Sequence, residues 1–310
     1  MTTQHRLNQD TPYVMVFAGP NGSGKTTLIE EVKKTGLAAL GDIFATPHYF
    51  INPDQFAKDM AGDFATQDER DWAAFNAAVS MRTAAIEKHQ TFAFETVMSH
   101  SSRINELVKL KNQAYRVLLI FIATDDPEKN VARVTNRFKT KTTTGHFVAP
   151  DKVKERYHRT LALLPKAVEI ADAAFIYDNS VDFEKASLQA VTDMDTFALD
   201  DQARSWTMKK LVAQLQSRER QQCEIDHEFA QAGQAALHDA DVLNGQYTGR
   251  ITKITEDYIV QLDNKSGHVI IHDRLMLDTS RETASDYSIT DELRIIYSAE
   301  NAPEIVKLDH

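Results

Sequence analysis

From Tyr13 to Ala18 the chain is continuously apolar and halts at Gly19, the pattern of a strand buried on both faces of a parallel sheet. Thr26 to Lys34 then predicts a helix that closes near Gly36. His48 to Ile51 predicts a second strand, ended by Asn52, Pro53 and Asp54. The alternation continues with a helix over Trp72–Lys88, a strand over Phe92–Phe94, a helix over Arg103–Lys111 and a fully apolar strand over Val117–Ala123. Pro127–Arg137 predicts a helix with proline near its start, where the missing N–H costs nothing. Asp151–Ile170 predicts another, disturbed at Pro165, and Ala174–Tyr177 a fifth strand. Repeated strand–helix alternation places helices on both faces of a parallel sheet, an α/β fold of three α/β/α layers.

Beyond this the pattern changes. Leu188–Met194 predicts an extra strand, and Thr207–Asp241, rich in Gln, Ala, Glu and Arg, one or two connecting helices. From Leu243 the apolar positions recur with period two. Strands are predicted over Tyr247–Ile251, Tyr258–Leu262, His268–Ile271, Leu293–Tyr297 and Glu304–Leu308, with a turn at Asp263–Gly267. The expected organisation is an α/β domain over residues 1–206, a helical linker over 207–242 and a small all-β, barrel-like domain over 243–310. A length of 310 residues suits two domains.

Composition narrows the function classes. Hydrophobic residues are 42% and charged residues 26%, an ordinary globular balance that excludes wholesale disorder. The single cysteine, Cys223, leaves no intramolecular disulfide and no cysteine-based zinc site. The longest apolar run, Val117–Ala123, is far shorter than the roughly 20 residues of a membrane-spanning helix. Met1–Asp10 is polar and lacks the apolar stretch of a signal peptide, so a cytoplasmic protein with no membrane partner is expected. A net charge of -10 argues against a broad nucleic-acid-binding surface.

The clearest chemistry lies at Gly19–Pro20–Asn21–Gly22–Ser23–Gly24–Lys25–Thr26, a full match to the phosphate-binding pattern G-x-x-x-x-G-K-[ST] between a strand and a helix. Glycines let backbone N–H groups curl around phosphate oxygens, and the helix N-terminus adds a favourable partial charge. Lys25 reaches the β- and γ-phosphates of ATP, and the Thr26 hydroxyl joins the Mg²⁺ shell. Asp54, at the end of the second strand, is placed either to take a proton from an attacking hydroxyl or to cap a turn after Pro53. Phe94–Glu95–Thr96 ends the third strand on the same carboxyl edge, where ligands of open α/β sheets bind. Glu95 there can accept a substrate hydroxyl or form a structural ion pair, and Thr96 can donate a hydrogen bond. Arg133, Arg137, Arg156 and Arg159 bracket a polar segment, Phe138–Pro150, that carries Lys139, Lys141, Gly145 and His146 and reads as a lid. Such arginines either neutralise a transferring phosphoryl group or line a solvated helix face.

Taken together, these motifs resemble the zeta-toxin family of P-loop kinases. The likeness runs through Gly19–Thr27, Ile51–Asp54, Phe94–Thr96, Arg133–Arg137, Gly145–Val148, Arg156–Leu161, Ala171–Asp172 and Tyr177–Ser180. It departs at Thr144, Ala149 and Glu155. The resemblance implies a P-loop NTPase fold and ATP-dependent phosphorylation of a nucleotide-sugar hydroxyl, typically of UDP-N-acetylglucosamine. It implies that Gly19, Asn21, Gly22, Ser23, Gly24, Lys25, Thr26 and Thr27 hold the nucleotide, with Thr26 at the metal. Asp54 would be the base, Asn52, Glu95, Thr96 and Arg159 substrate contacts, and Arg137 and Arg156 γ-phosphate contacts. A neutralising antitoxin is the partner such a toxin implies. Gly245 to Asp309 resembles the KfrB domain of plasmid-borne proteins, through Gly245–Gly249, Tyr258–Gln261, His272–Asp273 and Arg294–Tyr297. That implies a mobile-element setting and a plasmid-protein partner for the C-terminal domain. His268 and His272 stand four apart in a strand-rich segment, a spacing that does not bring them together on one metal.

Overall fold

The computed structural model describes residues 11–39, 41–53, 56, 57, 60, 64, 66–140, 148–194, 196–231, 237–277 and 287–308. The chain divides into two compact units, one of Met1–Ser99, Leu110–Leu161 and Ala167–Ser205, the other of His100–Lys109, Ala162–Lys166 and Trp206–His310.

The first unit opens with β1 (Tyr13–Ala18) and α1 (Lys25–Thr35), followed by a two-stranded hairpin of β2 (Leu37–Ala39) and β3 (Asp42–Phe44). Then come β4 (Phe50–Ile51), α2 (Gln67–Glu87), β5 (Phe92–Thr96), α3 (Ser101–Asn112), β6 (Arg116–Ala123), α4 (Pro127–Thr140), α5 (Pro150–Ile170) and β7 (Ala173–Asp178), of which α3 up to Lys109 and the Ala162–Lys166 stretch of α5 belong to the second unit. An antiparallel extension, β8 (Ser187–Asp193) and β9 (Thr196–Leu199), completes the sheet. The strand order is β4-β5-β1-β6-β7-β8-β9, and β4, β5, β1, β6 and β7 are mutually parallel. Seven of the eight residues of β6 are buried, as a strand covered on both faces requires. Met15, Phe17, Ala93, Leu118, Ile120 and Ile122 pack against Leu28, Ile29 and Val32 of α1. Their period-two neighbours, such as Val14, Val16 and Phe121, are equally buried on the opposite face.

The register explains the site. Phe17 is level with Glu95, Ala18 with Thr96, and Ile51 with Phe94. Residues leaving β1, β4 and β5 therefore emerge side by side at the carboxyl edge, where the chain reverses direction across the sheet.

The continuous part of the second unit, from Trp206, takes in the end of α6 (Ser205–Thr207), a π-helical stretch (Met208–Val212) and α7 (Ala213–Gln231). Its sheet has the order β10-β13-β12-β11-β14-β15, formed by β10 (Leu237–Asp239), β11 (Gln246–Ile254), β12 (Tyr258–Asp263), β13 (Val269–Asp273), β14 (Glu292–Ile296) and β15 (Glu304–Lys307). A short helix, α8 (Arg274–Leu277), follows β13. Ile225 and Phe229 of α7 pack on Tyr258, Val260, Val269 and Ile271, so this helix supplies core to the sheet.

The structure differs from several sequence expectations. The strand expected over His48–Ile51 is paired only at Phe50 and Ile51. The hairpin after Gly36 and strand β9 fall where none was expected. The helix over 150–170 runs unbroken through Pro165, because burial of Leu161, Leu164, Ala167 and Val168 offsets a local cost of about 3 kcal/mol. Within the span expected to be helical up to Asp241, Leu237–Asp239 is instead a strand. It pairs in parallel with β13, a long-range partner that local composition does not reveal.

Candidate functional site

The loop between β1 and α1 is wrapped on a backbone that side chains would block. Gly22 and Gly24 have φ of 78° and 102°, in the left-handed region. A Cβ on Gly22 would lie 2.7 Å from the Asn130 carbonyl oxygen, and one on Gly24 2.2 Å from Asn179 Nδ2. Those two asparagines hold the loop from outside. Asn130 Nδ2 donates to the Asn21 carbonyl at 2.6 Å, and Asn179 Nδ2 donates to the Ser23 carbonyl at 2.8 Å. With these carbonyls pinned outward, the peptide planes turn their N–H groups toward the concave side, as an anion cradle requires. The Thr124 hydroxyl donates to Asn130 Oδ1, and the Asn179 N–H donates to the Ala123 carbonyl at 2.8 Å. Both props are thus anchored at the end of β6. The motifs read from the sequence leave out Asn130 and include Asn179 only within the Tyr177–Ser180 likeness, with no role of its own. The available signal is Asn130 itself, a poor helix former inside α4 that is completely buried.

Lys25 opens α1 and is only 7% exposed. Its Nζ donates to the Gly19 and Pro20 carbonyls at 2.8 and 3.0 Å and lies 3.8 Å from Glu95 Oε1. Asn52 Nδ2 donates to the other Glu95 oxygen at 3.4 Å. Three expected residues, Lys25 at the start of α1, Asn52 just after β4 and Glu95 on β5, thus meet at one point on the carboxyl edge. The Thr96 hydroxyl accepts from the Met98 N–H at 3.1 Å, which leaves its proton to donate elsewhere. Thr26 and Thr27 are exposed at the start of α1. Ser23 Oγ and Asn21 Oδ1 are buried with no hydrogen-bond partner among the described residues. Orphaned polar atoms beside a glycine cradle fit a bound polyphosphate and its metal.

Gly22, Gly24, Lys25, Thr26, Thr27 and Glu95 line a cleft of about 1000 Å³, large enough for a whole nucleotide, together with Arg133, Arg137, Asn179 and the loop from Val181 to Ala186; Asn52 and Thr96 are not among its lining residues. Arg137 faces it from α4. Arg133 is fastened to its rim: its Nη1 donates to the Asn179 carbonyl at 2.9 Å and its Nη2 to Asp182 at 2.6 Å. Arg156 and Arg159, on α5, are not among the described residues lining the cleft. Arg159 pairs with Glu155 at 3.3 Å, a largely exposed i,i+4 contact of small energetic consequence. Asp54 lies outside the described residues, as do Lys141, Thr144, Gly145 and His146. Tyr157 ties α5 to the end of β6 by donating to the Thr124 carbonyl at 2.6 Å. Burial, reinforced by Asp125, Asp126 and Asp178, raises its phenol far above the usual range, so it stays a neutral donor.

Elsewhere, the His268 ring lies 4.5 Å from that of His238, while His272 is buried in the second sheet. Among the described residues no group of three His, Cys, Asp or Glu side chains is arranged to hold a metal ion. Cys223 is exposed and free, and no described helix is long and apolar enough to cross a membrane.

Comparison with known proteins places the chain. An uncharacterized protein of Haemophilus influenzae is 31% identical over 141 residues, which cover 46% of this chain and 89% of that protein. Among solved structures, a chain of the AvrRxo1-ORF1:AvrRxo1-ORF2 structure with sulphate ions is similar over 62% of each chain, at 13% identity and a TM-score of 0.47. The chain therefore spans less than two thirds of that protein's length. A chain from the PezAT toxin–antitoxin system of Streptococcus pneumoniae is similar over 54% of this chain and 67% of its own, at 20% identity and a TM-score of 0.39. Residues 1–182, more than half of the chain, match the family described as Zeta toxin, and with the phosphate loop and carboxyl-edge residues in place the chain belongs to that family of P-loop phosphotransferases.

Proposed function

We propose that this protein is a kinase that transfers the γ-phosphoryl group of ATP to a hydroxyl of a nucleotide sugar of the UDP-N-acetylglucosamine class. The observation that carries this reading is the convergence of a pinned phosphate loop, Lys25 and Glu95 on one cleft. The loop N–H groups and Lys25 hold the β- and γ-phosphates, and Arg137, with Arg156 carried in by α5, neutralises the equatorial oxygens as charge spreads in transfer. Thr26 would hold Mg²⁺, which neutralises charge shared between the β- and γ-phosphates. Asn52, Glu95, Thr96 and Arg159 orient the acceptor. Asp54, two residues beyond Asn52, takes the acceptor proton as the hydroxyl oxygen bonds to phosphorus and the bond to the β-phosphate oxygen breaks, releasing ADP. In the cell the protein acts in the cytoplasm as a toxin restrained by an antitoxin. Its C-terminal, KfrB-like domain engages a plasmid protein of the mobile element that encodes the pair.

The test pairs two measurements on the full chain. Labelled ATP is offered with a panel of nucleotide sugars, nucleosides and dinucleotides, and nucleotide affinity is measured on the same preparation. Transfer to a nucleotide sugar is expected, and Asp54→Asn should keep ATP affinity while slowing transfer by roughly 10²–10⁴. Asparagine caps a turn as well as aspartate does, so retained transfer would make Asp54 a turn residue. Transfer to water alone would refute the kinase and leave a nucleotide-dependent switch.

A further inference from the structure

Phe183 stands in the loop between β7 and β8 with its side chain entirely exposed, at 108% of the reference area. Its φ is 65°, a left-handed conformation that is a genuine outlier for a bulky residue. Among the described residues nothing packs on this ring, and the backbone is held in an unfavourable well to present it. Such strain persists where surrounding contacts over-determine it, commonly at ligand clamps.

Those contacts lie chiefly on its N-terminal side. Before Phe183, the Arg133 guanidinium grips Asp182 and the Asn179 carbonyl, and Lys129 Nζ donates to the Ser180 carbonyl at 3.0 Å. After it, Lys185 makes only an exposed pair with Glu31 of α1 at 3.0 Å, a weak tether. The ring is therefore offered from a loop anchored before it. It lines the same cleft as Gly22, Gly24 and Thr26, with Val181 and Ala186 beside it. The sheet order then decides which part of a bound molecule it meets. Asn52 and Glu95 leave β4 and β5 on one side of β1, whereas the Phe183 loop leaves β7 on the other. With the phosphates on the loop after β1 and the acceptor on the β4–β5 side, the β7 side is left to the nucleoside of the phosphoryl donor.

We propose that Phe183 is the stacking platform for the base of the donor nucleotide. This rests on the kinase reading of the same cleft. An exposed aromatic face on a pre-ordered loop gains its contact area at little further ordering cost, and every nucleobase has a face to match it.

The experiment uses the full chain and two probes, Mg·ATP and Mg·tripolyphosphate, with binding measured by calorimetry. Phe183→Ala should weaken ATP binding by about 10- to 100-fold, the usual worth of one base–aromatic stack, and leave tripolyphosphate binding unchanged. Phe183→Trp should keep ATP affinity, and its added fluorescence should be quenched by ATP and not by tripolyphosphate. Because the residue is fully exposed, both variants should unfold at the wild-type temperature. Equal ATP affinity in wild type and Phe183→Ala would overturn the platform while leaving the phosphate site standing. Equal weakening of both probes would assign Phe183 a role in loop shape instead. Failure of the wild type to bind either probe would overturn the phosphate-site reading itself, and the platform with it.

Discussion

Gly24 is where the phosphate loop and its outer support meet, and Gly24→Ala should separate the loop's own conformational demand from the pressure of Asn179. The residue sits at φ 102° and ψ 17°. An alanine Cβ would lie 2.2 Å from Asn179 Nδ2 and 3.3 Å from its Cγ. The first distance is more than 1 Å inside ordinary contact, so the amide must swing away and its 2.8 Å bond to the Ser23 carbonyl is lost. That bond is worth about 1 kcal/mol, and a non-glycine residue in the left-handed region costs about 1–2 kcal/mol more. In the free protein the variant loop relaxes to another shape, and nucleotide binding must restore the cradle against both terms. A total of about 2–3 kcal/mol corresponds to a 30- to 150-fold weaker Kd for ATP. Asn179→Ala alone removes only the support and should weaken binding about fivefold. In the double variant the clash is gone, the bond is lost only once, and affinity should match that of Gly24→Ala. The cycle should therefore show a coupling of about 1 kcal/mol, read by calorimetry on proteins with wild-type circular dichroism. Wild-type affinity in Gly24→Ala, or a double variant weakened by the product of the single effects, would refute the account of the loop.

Two further outcomes concern the second unit. His272 is wholly buried between the Tyr297 hydroxyl, 3.0 Å from Nδ1, and Gln261 Oε1, 3.1 Å from Nε2. Gln261 spends its amide nitrogen on the Gly249 and Leu293 carbonyls, so its oxygen must face the imidazole and His272 is neutral with its proton on Nε2. Burial pushes its pKa from 6.5 down to about 3, against a weak upward pull from Asp263. Between those values the unfolded chain binds more protons than the folded one. Stability should be full above pH 6.5 and fall toward pH 3, by up to about 1.4 kcal/mol per pH unit from this one group. His272→Gln should flatten that slope by one proton in urea titrations at several pH values, and an unchanged slope would refute it. Arg218, 1% exposed, reaches Asp273 at 2.6 Å and Asp257 at 3.6 Å, with its guanidinium 5.2 Å from the centre of the Tyr258 ring. Burial alone would raise the Asp273 carboxyl, yet Lys166 and Arg218 hold it low and charged. Arg218→Ala leaves buried carboxylates short of a cation and should cost about 3–5 kcal/mol in urea unfolding; a loss below about 1 kcal/mol would show the cluster to be solvated.

The sequence alone determined the features that are local in the chain. The continuous apolar run of β6 and the glycine stop after β1 set the parallel sheet, because a strand covered on both faces leaves no room for alternation. The phosphate loop was legible because its chemistry demands those glycines, that lysine and that threonine in fixed order. Glu95 and Thr96 were legible as an edge pair because they end an apolar strand. The tertiary structure decided everything that depends on partners far apart in the chain. It chose Asn130 and Asn179 as the supports of the loop, since an amide's role is set by the carbonyl it meets and not by its neighbours in sequence. It fastened Arg133 to Asp182, carried the helix through Pro165, and made a strand of Leu237–Asp239 by pairing it with β13. It also turned α7 from a presumed connector into core for the second sheet, because Ile225 and Phe229 have that sheet to bury against. A pattern of apolar positions states that a surface must be covered; only the folded chain states by what.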